Sequence, residues 1–227
     1  HHRAVSALSV LSGIGSDTAL RAIRHISLRA KYKGIRTEAG HRLGAVAGRL
    51  GLSREQLADR LLPDFGLDED GVLVLDYGPR RFRVAFDELL KPYVTDEAGR
   101  PRKTLPEPGV KDDPELAGAA HRRFSELKRE LRTVSADQIR RLEAAMVGGR
   151  LWSREEFEER LLRHPLMRHP VRRLVWLAED GERRLGFRVA EDATFCDAAD
   201  EAVALPEEAG IRLAHPLDLS EGERAAW

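Results

Sequence analysis

The sequence is poor in the features that mark secreted and membrane-spanning proteins. It has one cysteine, Cys196, so it cannot form the internal disulfide framework that stabilises small secreted domains. Its apolar runs all fall short of the roughly 20 residues needed to cross a bilayer, and it shows no signal-peptide pattern. Together these observations favour a reducing, cytoplasmic location and predict no contact with a membrane.

An excess of charge of either sign is also missing. Lysine and arginine together number 38, aspartate and glutamate together number 38, and the pI is about 7.3. The protein therefore has no global field that would hold a nucleic-acid backbone or an anionic surface. Any such contact has to be local.

The common catalytic and cofactor-binding motifs are absent as well. The segment GIGSD at residues 13–17 matches neither a dinucleotide-binding nor a Walker loop, and it follows no strand. His164 and His169 are separated by a proline, which does not suit two metal ligands on one helical turn, so we expect capping or surface histidines. Cys196 has no nucleophile signature and is expected to be a buried structural thiol. The sequence predicts binding rather than catalysis, with no cofactor and no metal; an active site assembled from distant segments is the alternative.

The first pattern along the sequence is typical of helices. In residues 4–50, apolar residues recur at helical spacing, a glycine pair at Gly13 and Gly15 interrupts them, and Ser16 or Asp17 can cap the next helix. The pattern resembles HEAT-type helical repeats, so we predict a helical segment over residues 1–51. One such unit cannot cover its own faces, and we therefore expect the natural protein to continue N-terminally.

Residues 52–110 are predicted to form a first lobe. Ser53 and Gln56 have the spacing of a capping box at the start of a helix. The segments VLVLDY and RFRVAF alternate around the turn GPR as a β-hairpin does, and LKPYV and RKTL extend it into an antiparallel meander. The segment EPGVKDDPE, rich in proline, glycine and charge, is predicted to be a linker.

Residues 111–227 are predicted to form a second lobe with a truncated C-terminus. A long amphipathic helix begins at Pro114, as one helix or as two that meet near Thr133, where Ser135 offers a second cap. Ser153 with Glu156 caps the next helix, and a second hairpin turns at residues 180–181. The expected fold class is α+β: a helical-repeat N-terminus followed by two lobes of helices and an antiparallel meander.

The two lobes also share sequence at an offset close to 100 residues. RLGAVAGRLGLSRE, from Arg42, parallels RLEAAMVGGRLWSRE, from Arg141, and the match continues to Leu105-Pro106 and Leu205-Pro206. We interpret this as an internal duplication of a unit of helix, capped helix and meander. Chance coincidence between helices rich in arginine and leucine is the alternative.

The densest charge lies in a basic strip between residues 160 and 173. Arginine suits phosphate or carboxylate recognition because its planar fork donates two parallel hydrogen bonds. The alternative is a solvated face that pairs with itself, with Glu156 to Arg160 and Glu159 to Arg163 as i,i+4 partners. The strip residues predicted as a partner or ligand site are Arg163, His164, Arg168, His169, Arg172 and Arg173, joined on the N-terminal side by Arg160.

Several longer segments resemble a known family. They are LDYGPRRFRV, KDDPELA, the run from QIRRLEAAMVGG to RRLVW, FRVAEDATFCDAADEAVALP and HPLDL. Over residues 52–227 they are similar to the domain of unknown function of bacterial molybdate metabolism regulator-like proteins. Such proteins often carry a Trp-Gly-Arg domain, but this chain has no Trp-Gly-Arg motif, so the resemblance implies no DNA-binding residues here. It implies no catalytic residues either.

The sequence therefore predicts a non-enzymatic interaction or scaffold module of a larger bacterial protein, with a regulatory role as an option. Its expected partners are the flanking domains of that protein and a protein partner. The alternative is a nucleic-acid or phosphate-ligand module that uses the basic strip Arg160–Arg173.

Overall fold

A computed structural model describes residues 2–227, and the chain forms two compact units, His1–Pro63 and Asp64–Trp227. Helices and two four-stranded antiparallel sheets make up these units. The predicted α+β class is confirmed. Across the described residues, no helix has the length and apolar character that a bilayer crossing demands.

The first unit consists of helices α1 (His2–Ile14), α2 (Asp17–Arg29), α3 (Lys33–Arg49) and α4 (Arg54–Arg60). The Ser16 hydroxyl caps α2 by accepting from Ala19 N, and the predicted capping box of Ser53 and Gln56 opens α4. Apolar residues at helical spacing on all four helices meet in one core. Its buried members are Leu8, Leu20, Ile23, Ala39, Val46, Ala47, Leu57 and Leu61.

The second unit opens with a sheet of strands β1 (Leu73–Asp76), β2 (Arg81–Phe86), β3 (Pro92–Asp96) and β4 (Pro101–Arg102) in the order β1-β2-β3-β4. This is the predicted meander. Strand alternation places Leu75, Phe82, Val84 and Val94 on the buried face.

Aspartates fix the turns of this meander. The Asp87 carboxylate accepts from Leu89 N and Lys91 N, and Asp96 accepts from Ala98 N and Arg100 N in the same way. Such side chains replace the backbone acceptors that a turn lacks. Asp87 and Asp96 therefore stabilise two turns of the meander.

The segment of residues 107–115, predicted as a linker, is held against the first sheet together with Pro106 before it. Arg80 donates to both carboxylate oxygens of Asp112 at 2.9 and 2.6 Å, and the Tyr77 hydroxyl donates to Pro106 O at 2.8 Å. The Arg80 guanidinium holds the pKa of Asp112 below its usual range, and burial raises the pKa of Tyr77 to about 12. Proline and glycine content alone did not reveal these fixed contacts.

Helix α5 (Pro114–Gly148) is a single helix of 35 residues. Asp113 caps its start, Pro114 occupies the first turn, and Gly149 ends it in the left-handed conformation at φ 62°. Ser135 does not cap a second helix: its buried hydroxyl donates to Leu90 O at 3.0 Å. The alternative of two helices meeting near Thr133 is therefore wrong.

The second sheet has the order β7-β6-β5-β8, with β5 (Trp176–Asp180), β6 (Arg183–Val189), β7 (Phe195–Cys196) and β8 (Gly210–Leu213). The first three strands form a meander, but β8 pairs with β5 instead of β7. The prediction of a second plain meander is wrong in this last strand, because the free edge of β5 accepts β8. A duplicated unit would have the same strand order in both sheets. The two sheets differ in strand order, which argues against a duplication of the whole unit.

Helices cover the second sheet. Ser153 and Glu156 form the predicted capping box at the start of α6 (Arg154–Glu156), which continues as a π-helical turn, Phe157–Leu162. Helix α7 (Arg168–Val171) follows, and a 3-10 turn, Pro216–Asp218, and helix α8 (Glu221–Ala226) end the chain. Five aromatic side chains pack edge to face or tilted at centroid distances of 4.8 to 6.4 Å: Trp152, Phe157, Trp176, Phe187 and Phe195.

Candidate functional site

The N-terminal part of the basic strip is shaped by the π-helical turn. A π-helix places residues five apart on one face, in contrast to the α-helical four. Arg163 accordingly pairs with Glu158 at 3.0 Å, and Arg160 pairs with its neighbour Glu159 at 3.3 Å. The predicted partners Glu156 to Arg160 and Glu159 to Arg163 are wrong for this reason, although self-pairing of the exposed arginines is present.

His164 forms the turn that follows. Its Nδ1 accepts from Leu166 N at 3.2 Å and from Met167 N at 3.4 Å. The ring thus satisfies backbone donors at the start of the short segment leading to α7, as a capping residue does. The prediction of a capping histidine is confirmed.

His169 lies where the two sheets of the second unit meet. Its Nε2 is 2.9 Å from Gly71 O, and its ring is 5.1 Å from the ring of Phe86. A carbonyl oxygen can only accept, so Nε2 carries the proton and donates. Burial lowers the pKa of His169, and the charges of Arg168, Arg173 and Arg172 lower it further, while the bond to Gly71 O opposes them.

This environment predicts a loss of stability in mild acid. The folded-state pKa of His169 lies below the ordinary value of 6.5, so the unfolded chain binds the proton first. We expect the free energy of unfolding of the second unit to fall as the pH drops from about 6.5 through the lowered pKa. Urea denaturation at pH 7.5 and at a series of lower values measures this.

His169→Gln provides the control, because its amide keeps a neutral N–H donor toward Gly71 O and cannot titrate. The variant should show a shallower pH dependence than the parent protein. Two other acid-sensitive groups, Asp70 and Glu88, pair with the neighbouring Arg168 and Arg173 at 3.6 and 2.9 Å. An unchanged slope would assign the acid sensitivity to such groups instead of His169.

The three arginines of and after α7 reach different partners. Arg168 is nearly buried, with 14% of its side chain exposed, and its Nη1 is 3.6 Å from Asp70 Oδ1. Arg172 Nη2 donates to the backbone carbonyl of Glu191 at 2.7 Å. Arg173 is exposed and pairs with Glu88. These arginines therefore connect segments beside the two sheets of the second unit, and the strip does not form one solvated basic face.

Two grooves flank the turn of residues 190–194 that joins β6 to β7. The smaller, of about 580 Å³, has Arg163 and Arg168 in its wall beside the apolar side chains of Leu162 and Phe195. The larger, of about 850 Å³, is called here the Arg172 groove. Its wall includes His169, Arg172, Arg173, Arg188, Glu191, Asp192, Thr194, Cys196 and Asp200.

The structure thus distributes the predicted site residues over two grooves and a cap. Arg163 and Arg168 face one groove, whereas His169, Arg172 and Arg173 face the other, and His164 caps a turn. Cys196 is buried, as predicted, with Arg188 O as its nearest acceptor at 3.9 Å.

Sequence reasoning missed the contribution of the opposite wall. Arg188, Glu191 and Thr194 reach the Arg172 groove because β6 and β7 pair beside the strip, and no local motif indicates that pairing. His215 caps the 3-10 turn, its Nδ1 accepting from Leu217 N at 3.2 Å. Within residues 2–227, no three metal-ligating side chains converge.

Comparison with known proteins places the chain in a family. The chain belongs to the family defined by the domain of unknown function DUF4132, whose model matches residues 99–227. It is 40% identical over 229 residues to the uncharacterized protein YehI of Escherichia coli (strain K12), covering 99% of this chain. The chain spans 19% of the length of that relative. No solved structure matches the chain.

Proposed function

We propose that this chain is a non-enzymatic interaction module of a larger, cytoplasmic bacterial protein, and that the surface of α1 contacts a helix of that protein. The observation that carries the proposal is an apolar stripe. Val10 and Ile14, one turn apart on α1, are 63% and 62% exposed, and Ala7 extends the stripe by another turn. Leu8 and Leu11, on the adjoining side of α1, already serve the core.

The helical packing of the first unit supports a helix as the partner of the α1 surface. Helices α1, α2 and α3 bury small and branched residues such as Ala39 and Ala47 at their contacts. Stacked helical repeats cover one another in this way, so a further helix pair is the natural cover for an apolar stripe on α1. The share of YehI that the chain matches, 19%, is in keeping with a module that functions inside a longer chain.

The finer predictions belong to the same proposal. They are a HEAT-like segment at residues 1–51, lobes at 52–110 and 111–227, and a regulatory role of the molybdate metabolism regulator-like kind. Support for the helical part comes from the four-helix core of the first unit.

Binding to the other segments of the longer relative tests the proposal. Those segments of YehI would be expressed separately and titrated with this chain by calorimetry. We expect one of them to bind, and the double change Val10→Asp and Ile14→Asp to weaken binding at least tenfold, because two charges enter an apolar contact.

Val110→Asp is the matched control, since Val110 is a fully exposed valine in the second unit. It should bind as the parent chain does. Failure of every segment to bind, or equal binding by the double variant, would overturn the proposal.

The second candidate function is recognition of a phosphate ligand by the basic strip. The partly buried Arg172, which has a groove in front of it, favours a small ligand. Nucleic acid is less favoured, because the exposed arginines Arg163 and Arg173 each pair with a glutamate.

A further inference from the structure

We propose that the Arg172 groove binds the phosphate group of a small phosphate monoester, with Arg172 as the anchoring cation. The inference deepens the phosphate-ligand candidate and rests on that candidate. It is independent of the interaction surface on α1, which lies in the other unit.

Arg172 differs from the other arginines of the groove because it has no carboxylate partner among the described residues. The other arginines of the groove each have a carboxylate: Arg173 pairs with Glu88, and Arg188 pairs with Asp200. Among the described residues, no carboxylate lies within 4.0 Å of the Arg172 guanidinium, whose hydrogen-bond acceptor is the neutral Glu191 carbonyl. A partly buried charge without a partner is destabilising, and a bound anion would offset that cost.

Some hydrogen-bond donors of Arg172 and Arg168 also lack an acceptor among the described residues. A guanidinium has five N–H donors. Arg172 Nε and Arg168 Nε are both buried without a partner in the described part of the chain, and they belong to arginines one helical turn apart. Two cations in this arrangement repel each other. Burial and the charge of Arg168 lower the pKa of Arg172, while the charges of Asp70, Glu191 and Asp192 oppose this shift. An oxyanion in front of Arg172 would relieve the repulsion and accept from its free Nη donors.

The lining of the groove decides the class of ligand. Its volume of about 850 Å³ lies within the usual range for small-molecule sites. Glu191, Asp192 and Asp200 stand beside the arginines and would repel a long polyanion. A single phosphate carried by a small polar molecule satisfies Arg172 without meeting a continuous row of carboxylates.

The test is calorimetric titration of the whole chain with inorganic phosphate and with adenosine monophosphate, in chloride buffer of constant ionic strength. We expect saturable binding of both and a parallel rise in melting temperature. Arg172→Gln should weaken binding roughly tenfold or more, as expected for the loss of a charge-assisted hydrogen-bonded contact. Arg183→Gln, at an exposed arginine of β6 in the same lobe, should bind as the parent chain does.

The variant also separates a ligand site from a purely structural arginine. Without phosphate, Arg172→Gln should melt at the same temperature as the parent or higher, because it removes an unpaired charge. If Arg172→Gln fails to fold, Arg172→Lys replaces it as the test variant. Lysine keeps the charge without the planar fork, so Arg172→Lys should still bind phosphate more weakly than the parent chain does.

Three outcomes would overturn the inference. The first is phosphate binding that is absent or fails to saturate; the second is equal binding by the parent and by Arg172→Gln. The third is tighter binding of a 12-nucleotide single strand with a steep salt dependence, which would favour nucleic acid. None of these results bears on binding through α1, so the interaction-module proposal stands or falls separately.

Discussion

Gly71→Ala should lower the free energy of unfolding of the second unit by roughly 3 kcal/mol, from the left-handed backbone and the overpacking together. Gly71 has φ +73°, a conformation that costs a side chain energy. A Cβ there would overlap the Pro165 carbonyl oxygen and lie 2.6 Å from His169 Nε2. Either Gly71 separates from Pro165 and His169 or the turn that contains Gly71 moves. The bond from His169 to Gly71 O is lost in both cases. Urea denaturation followed by tryptophan fluorescence measures the change.

Gly99→Ala is the matched control. Gly99 belongs to the turn between β3 and β4, has φ +76° and has nothing within 4 Å of the position its Cβ would take. Gly99→Ala should therefore lower the free energy of unfolding only by the cost of the left-handed backbone, about 1 kcal/mol. If the two variants were destabilised equally, the close packing at Gly71 would not contribute to the stability of the junction.

The sequence was sufficient to predict elements whose determinants are local. The capping boxes at Ser53 and Ser153 and the hairpin after Asp76 each depend on residues within a few positions of one another. Local hydrogen bonds and alternation of apolar residues set these features, so a single sequence reveals them. The α+β class follows from the same signals.

The order of the second sheet depends on contacts that local signals do not report. β8 has the same alternation whether it extends the meander beside β7 or returns to β5. Trp152, which forms a β-bridge with Ile211 of β8, ties this strand to the start of α6. The choice is made by packing around the aromatic cluster, over a sequence separation that pattern analysis does not cover.

The candidate site was predictable in composition and not in arrangement. The basic strip is evident as a cluster of arginine and histidine, but His169 reaches Gly71 over 98 residues and Arg173 reaches Glu88 over 85. Those contacts place most of the strip between the two sheets of the second unit. Within residues 2–227 they leave Arg172 as the arginine of the strip that pairs with no carboxylate, a distinction that depends on tertiary structure alone.

Trp176→Ala is the substitution with the largest expected cost, roughly 4 kcal/mol of unfolding free energy for the second unit. Trp176 is fully buried at the start of β5, and its ring makes edge contacts with Phe157 at 4.8 Å and Trp152 at 5.8 Å. Its Nε1 donates to Val171 O at 3.0 Å, which ties β5 to α7. Alanine would leave a large cavity among aromatic rings, and Val171 O would keep only the longer bond from Leu174 N at 3.4 Å.

Two further variants separate these contributions. Trp176→Phe keeps a ring in the cluster and should recover more than half of the loss, the remainder being the missing bond to Val171 O and the smaller volume. Trp227→Ala, at a partly exposed tryptophan next to Gly186, should cost about 1 kcal/mol or less, as changes away from a core do. Because Trp176 connects β5 to Val171 at the end of α7, next to Arg172, Trp176→Ala should also weaken phosphate binding at the Arg172 groove under conditions where the variant is still folded. Equal stability of the Trp176→Ala and Trp227→Ala variants would show that the aromatic cluster is not the core of this lobe.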